Sequence, residues 1–401
     1  MIIHPPRHSE RNGHIYLGAK IDAHDDRLSG ASELWFRVAP QWQAALANSA
    51  DPFLAGLLPV ACELGEDIEI AGPVSPRLVH NAREYVRILN AHDPARQHLI
   101  ELRVAPEHLV AAESKVAHRA VGMGFSGGVD AQYLLWSHLP AQEPLAQFRV
   151  SHVMTVNGFD LDIDLQEQGR IPALQAIYAS QLQPSGVEHI VLATNLRSFR
   201  QPVLRNMVQS YATSLTACAL ALSPLFGTFY IASSYKYATY GTIDDLRPML
   251  DPLLSNETTA ICHGGAEATR FERLQTIAEW PATYDRLRVC SNPDHTNVDA
   301  HNQRVNNCGR CEKCVLTQLA LMLMGRADRY SSCFPEPLTT RRIVATPLSE
   351  GGKIRVKEYH AIARRLGQRQ LAADLQKLYW RATLLRLAWY LRKPRRLFRR
   401  R

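Results

Sequence analysis

The rhythm of apolar and polar positions changes near residue 118. Before that point it shifts every few residues: Ser32-Glu-Leu-Trp-Phe-Arg-Val and Asp67-Ile-Glu-Ile-Ala read as short strands, and a Leu/Ala-rich run near residues 53–63 reads as a helix. The mixture predicts a separate α+β domain over residues 1–115. Beyond it the segments become longer and regular. Strands are predicted at residues 120–125, 149–156, 187–193 and 227–232, and helices at 129–138, 171–183 and 203–222. Strands separated by helical stretches of this length require crossover connections. The expected fold class for residues 116–285 is therefore α/β, a parallel sheet with helices on both faces and ligands bound at the carboxyl ends of the strands.

One stretch, residues 211–235, carries no charge and is long enough to cross a bilayer. Ser223, Pro224 and Gly227 interrupt it, which predicts a buried helix, a turn and a buried strand instead. The first residues, Met-Ile-Ile-His-Pro-Pro-Arg-His, lack the apolar region of an export signal, so a cytoplasmic location is expected.

Charge changes the picture only at the C-terminus. After Asp374 there are ten Lys or Arg residues and no acid, and removing those ten charges from the formal net charge of +8 leaves the rest of the chain at −2. The body is not basic. Residues 371–391 carry Leu, Trp and Tyr at helical spacing, and seven cations follow from Arg392 onward. Residues 341–401 thus read as a helical region with a basic tail, suited to an acidic partner, an acidic lipid or nucleic acid, or simply to water.

Candidate chemistry begins with Phe125-Ser126-Gly127-Gly128-Val129-Asp130, placed where the first long strand meets the first helix. Two glycines let backbone N–H groups approach phosphate oxygens, and the helix N-terminus adds partial positive charge. Ser126 supplies a hydroxyl donor; Asp130 is placed to brace the loop or hold Mg2+. No Gly-Lys-Ser/Thr follows, so this is not the kinase and GTPase loop. The segment resembles the loop of the PP-loop ATP pyrophosphatase superfamily, which reads Ser-Gly-Gly-x-Asp-Ser. The resemblance implies a PP-loop, HUP-like fold that binds ATP at Ser126, Gly127, Gly128, Val129 and Asp130 and cleaves it between the α and β phosphates. Ala131 stands where the motif carries Ser, which implies altered pyrophosphate contacts or an ATP-binding remnant.

Four of the eight cysteines cluster: Cys290, then Cys308-Gly-Arg-Cys311-Glu-Lys-Cys314. Three thiolates at this spacing plus one from upstream close a tetrahedral Zn2+ site, structural because protein supplies every ligand. Position 318 is Gln, which breaks the ferredoxin pattern of an iron–sulfur cluster. Residues 286–340 are read as this zinc-binding segment, anchoring a loop at 291–307 beside the nucleotide. Cys62, Cys218, Cys262 and Cys333 read as packed thiols.

A phosphate loop followed by this cysteine pattern resembles the 7-cyano-7-deazaguanine synthases, over roughly residues 118–325. The resemblance implies a QueC-like, AMP-forming ligase that adenylates a carboxylate, such as a 7-deazaguanine acid, and passes it to a nitrogen nucleophile to give an amide or nitrile. Relatives in bacterial phage-defence gene sets extend the acceptor to a protein amine. The N-terminal 115 residues, Ala131 and the basic tail depart from that family. Two other classes stay open: a thiolase acting on tRNA or a nucleotide, which needs a reactive cysteine outside the cluster, and a non-catalytic ATP-binding scaffold.

Asp130, Lys236 and Arg270 are the candidate catalytic residues. Lys236, Arg270 and Arg273 follow sheet strands, where cations could meet phosphates, and they fit surface charges equally well. His263, before two glycines, reads as a turn histidine or a general base. Asp251-Pro-Leu-Leu-Ser-Asn-Glu reads as a turn or a loop closing over substrate.

Overall fold

The computed structural model describes the chain except residues 112–118, 160–162, 164–169, 205–210, 241–245, 293–297, 300, 302–303 and 393–401. The basic tail from 393 onward lies outside the described residues. The chain forms two units: Met1–Ser126 with Asp130–Thr269, and Gly127–Val129 with Arg270–Arg401.

The first unit is α/β, built on a large mixed sheet flanked by helices. Its strands are β1 (Ile2–Ile3), β2 (Arg7–Arg11), β3 (His14–Asp22), β4 (Glu33–Val38), β5 (Ile68–Ile70), β6 (Leu102–Val104), β7 (Ala120–Gly124), β8 (His152–Asn157), β9 (Glu188–Thr194), β10 (Phe226–Ala232) and β11 (Ala260–Gly264). Their order is β11-β10-β7-β8-β9-β4-β3-β1-β5-β6, with β2 paired to β3. The run from β11 to β9 is parallel throughout. Connections from β7 lead to β8 and β9 on one side, whereas β10 and β11 lie on the other. The strand order therefore reverses between β7 and β10, the place where an open parallel sheet forms a crevice at its carboxyl edge.

The predicted strands and helices of this half recur with small shifts in their ends. The uncharged stretch is the buried helix Tyr211–Ala221, a turn and β10. Among the described residues no helix is long and apolar enough to cross a membrane. The helix predicted at 203–222 begins at Tyr211, and residues 205–210 lie outside the described residues.

The N-terminal region does not separate near residue 115 as expected. β4 runs antiparallel to β9 with Phe36 opposite Thr194, and side chains lock the join. Thr194 Oγ1 donates to Trp35 O at 2.7 Å, Asn195 Nδ2 donates to Glu33 O at 2.7 Å, and Trp35 N donates to Asn195 Oδ1 at 2.9 Å. Pairing removes the exposed edge that β9 would otherwise present. The core is shared as well: the helix Asp51–Leu64 is buried around nearly its whole circumference and packs on Tyr211–Ala221. Gly56 eases that approach, since a Cβ there would lie 3.3 Å from Ala217 Cβ.

The second unit is mostly helical, with Arg270–Ile277, Glu312–Leu323, Thr340–Ala345, Glu350–Arg365 and Arg369–Arg392, plus a hairpin of β12 (Val298–Asp299) and β13 (Arg304–Val305). Thr339 and Ser349 cap two of these helices, accepting from Arg342 N and Gly352 N. The last helix packs on the two before it, and Thr340 Oγ1 donates to the buried Asp374 carboxylate at 2.9 Å. Trp380, Leu384 and Leu385 remain exposed on it.

Candidate functional site

The Ser126–Asp130 segment joins β7 to the helix Val129–Ser137. Phe125 N donates to Met154 O at 2.8 Å, so the chain leaves the sheet only after Phe125. Thr155 Oγ1 donates to Phe125 O at 3.0 Å, and Tyr178 Oη reaches Ser126 O at 3.4 Å. Gly127 then turns at φ +72°, a conformation costly for any residue with a Cβ. Ser126 is exposed, and Asp130 is half-buried in the first helical turn. The helix Tyr211–Ala221 lies close over β7: a Cβ on Gly124 would come within 2.4 Å of Leu215. The loop is thus a tight strand-to-helix turn at the sheet's carboxyl edge, beside the reversal of strand order. Beneath it, burial pushes the His189 imidazole down to about 4, so the ring that meets Thr155 Oγ1 at 2.8 Å is neutral near pH 7.

Lys236 lies one strand over, half-buried before the short 3-10 turn Tyr237–Thr239 that follows β10. Arg270 opens the first helix of the second unit. Arg273, one turn later, is fully buried and so cannot be the surface charge it resembled in sequence. Within that unit Arg288 donates its backbone N–H to Gly127 O at 2.9 Å. Nothing in sequence pairs residues so far apart.

Asp251 does not lead an open loop. It is buried, and its carboxylate oxygen lies 2.7 Å from His263 Nδ1. His263 Nε2 lies 3.1 Å from Tyr240 Oη, and that hydroxyl lies 2.6 Å from Ser233 Oγ. His263 is therefore part of a polar chain.

The four cluster cysteines converge, with every sulfur within 4.8 Å of every other. Cys308 and Cys314 Sγ are 3.8 Å apart, Cys311 and Cys314 3.3 Å. A tetrahedral site with metal–sulfur bonds of about 2.3 Å has edges of roughly 3.8 Å, so the group could hold a metal ion and its dimensions are compatible with zinc. Gly309 turns the chain at φ +66°, and Cys311 immediately precedes the helix Glu312–Leu323. Backbone N–H groups of Arg310 and Cys311 point at Cys308 Sγ, and that of Asn292 at Cys290 Sγ. Hydrogen bonds from Cys290 and then Cys314 hold the Cys311 thiol far below the usual thiol range. The same contacts push the Cys290 thiol up to about 11 and raise that of Cys314, so the negative charge is concentrated on Cys311 and its neighbours donate to it.

Asn307 holds these segments together and carried no signal of its own in sequence. Its Oδ1 accepts from Val289 N and Cys290 N at 2.9 and 3.0 Å, and its Nδ2 donates to Leu287 O and Cys333 O. The residue is buried, and it ties the segment carrying Cys290 to the chain just before Cys308.

No family model, curated protein or solved structure matches this chain. Burial pushes the Cys62 and Cys333 thiols up to about 12 and raises those of Cys218 and Cys262. All four are poor nucleophiles near neutral pH.

Proposed function

We infer that the chain binds ATP at Ser126–Asp130, forms an acyl adenylate of a carboxylate substrate with release of pyrophosphate, and transfers the acyl group to a nitrogen nucleophile. The observation that carries this reading is the glycine turn at Gly127, set between a parallel strand and a nine-residue helix where the strand order reverses. Backbone N–H groups there would receive the β and γ phosphates as a unit. Ser126 would donate to them, and Asp130 would hold Mg2+, which neutralises phosphate charge when bound. Lys236 is assigned to the charge that develops as pyrophosphate leaves.

A 7-deazaguanine acid is the first substrate to try, and ammonia or a protein amine the first acceptors. The thiolase alternative is weakened by the raised thiols of Cys62, Cys218, Cys262 and Cys333. The cysteine cluster is assigned a structural Zn2+, since four protein sulfurs leave no position for water.

Incubation with ATP, Mg2+ and the acid should yield AMP and pyrophosphate, with turnover lost in Asp130→Ala while the circular dichroism spectrum is unchanged. ADP and phosphate as the only products, or full activity in Asp130→Ala, would refute the assignment. ATP binding without any turnover would identify a scaffold instead.

A further inference from the structure

Four polar residues from separate segments of the first unit meet at the carboxyl ends of β10 and β11. Ser233 follows β10 directly, Tyr240 lies seven residues later, Asp251 opens a 3-10 turn, and His263 is the penultimate residue of β11. Tyr230 pairs with Met123 between β10 and β7; Ser233 and Ser126 each stand three residues further along the chain. The group therefore occupies the same sheet edge as the phosphate loop, across the reversal of strand order.

The chain of contacts can carry a proton in two ways. Asp251 accepts from His263 Nδ1–H at 2.7 Å, which leaves Nε2 facing Tyr240 Oη at 3.1 Å. With a neutral imidazole, Ser233 donates to Tyr240 and Tyr240 donates to His263 Nε2. With an imidazolium, His263 donates to Tyr240, Tyr240 donates to Ser233 Oγ, and the Ser233 hydroxyl turns to Tyr235 O, 2.8 Å away. Both arrangements use the same atoms at the same distances. Taking up one proton reverses two hydrogen bonds and moves no heavy atom. The side chains of His263 and Asp251 are 5% and 2% exposed, so water does not supply either partner freely. Tyr240 is half-buried, and its ring packs against Tyr235 and the exposed Tyr237. Of the four, Tyr240 is the member partly open to solvent, whereas Ser233, Asp251 and the His263 side chain are buried.

We propose that Tyr240, backed by His263 and Asp251, accepts the proton released when a nitrogen nucleophile attacks the acyl adenylate. This role rests on the ATP-dependent reading above and specifies its second half-reaction. The nitrogen lone pair forms the C–N bond, and the bond from the acyl carbon to the phosphate oxygen breaks. AMP departs with that electron pair. The proton lost from nitrogen passes to Tyr240 Oη as the tyrosyl proton passes to His263 Nε2, which becomes an imidazolium stabilised by Asp251. Tyr240 touches the reacting nitrogen; His263 and Asp251 act through it as positioning residues.

The test separates the two half-reactions in the full chain. Exchange of labelled pyrophosphate into ATP, with 7-carboxy-7-deazaguanine as probe, reports adenylation alone; amide formation with added ammonium reports transfer. His263→Gln and Tyr240→Phe are expected to keep exchange within about 3-fold of the parent while transfer falls by about 100-fold or more, the usual contribution of a positioned proton acceptor. In His263→Ala, added imidazole should restore part of the lost transfer and leave exchange unaltered. Transfer at the parent rate in His263→Gln, or equal loss of exchange and transfer in all variants without imidazole rescue, would overturn the relay. Absence of exchange in the parent protein would refute adenylation itself, and the relay with it.

Discussion

The two units hold their shape by different means. In the first, the mixed sheet and its helices enclose a continuous apolar core that includes Phe36, Phe53, Leu54, Ala217 and Phe229, each fully buried. In the second, helices and a two-residue-per-strand hairpin accompany four converging sulfurs, with the buried amide of Asn307 bonding the backbone at Leu287–Cys290 and at Cys333. Apolar burial is distributed, so a core gives way gradually as groups are deleted. A metal centre concentrates its contribution in a few bonds and is lost as a unit.

The sharpest way to break this comparison is Cys311→Ser. If the cluster binds zinc structurally, the parent protein carries one zinc per chain by elemental analysis and the variant carries none. Structural zinc is worth on the order of 10 kcal/mol, so limited proteolysis should open residues 286–340 in the variant while β7–β11 stay protected. Iron in the parent, or equal protection in both proteins, would break the contrast.

Phe53→Ala probes the other unit. Phe53 meets Phe36 edge-on at 5.5 Å between ring centroids, and its removal should cost about 4 kcal/mol in denaturant unfolding without releasing metal. Metal loss in this variant would mean that the two sources of stability are not separable.

The smallest expected effect is a pH dependence confined to the first unit. His189 has a folded-state value lowered by burial to about 4 against an ordinary 6.5. Its neutral form is the one the fold accommodates. The stability it allows is therefore present above about pH 6.5 and is lost as pH falls toward 4, by at most about 3 kcal/mol. His189→Gln should flatten that part of the stability profile measured by urea unfolding; an unchanged acid slope would assign it to other groups.

What could be read in the sequence follows from how local each signal is. Strands β7 to β10 and the helices between them are set by continuous apolar runs and turn residues, and their placement needed no partner. The glycine loop and the Cys308-Gly-Arg-Cys311-Glu-Lys-Cys314 run are equally local, because a tight turn and a chelate both need particular residues at short spacing. The N-terminal region was legible as strands and a helix but not as part of the same sheet. Its attachment depends on β4 finding β9 and on Thr194 and Asn195 reaching backbone atoms some 160 positions earlier in the chain.

Residue chemistry by itself determined that this chain contains an alternating α/β region, a strand-to-helix glycine turn and a four-sulfur cluster. Tertiary structure alone decided that β10 lies beside β7, and that this places Ser233, Tyr240, Asp251 and His263 in one hydrogen-bonded chain. It also decided that Asn307 clamps the cysteine segments. The reason is physical: periodicity and turn propensity act over a few residues, whereas a hydrogen-bond network exists only once distant segments are held within about 3 Å of one another.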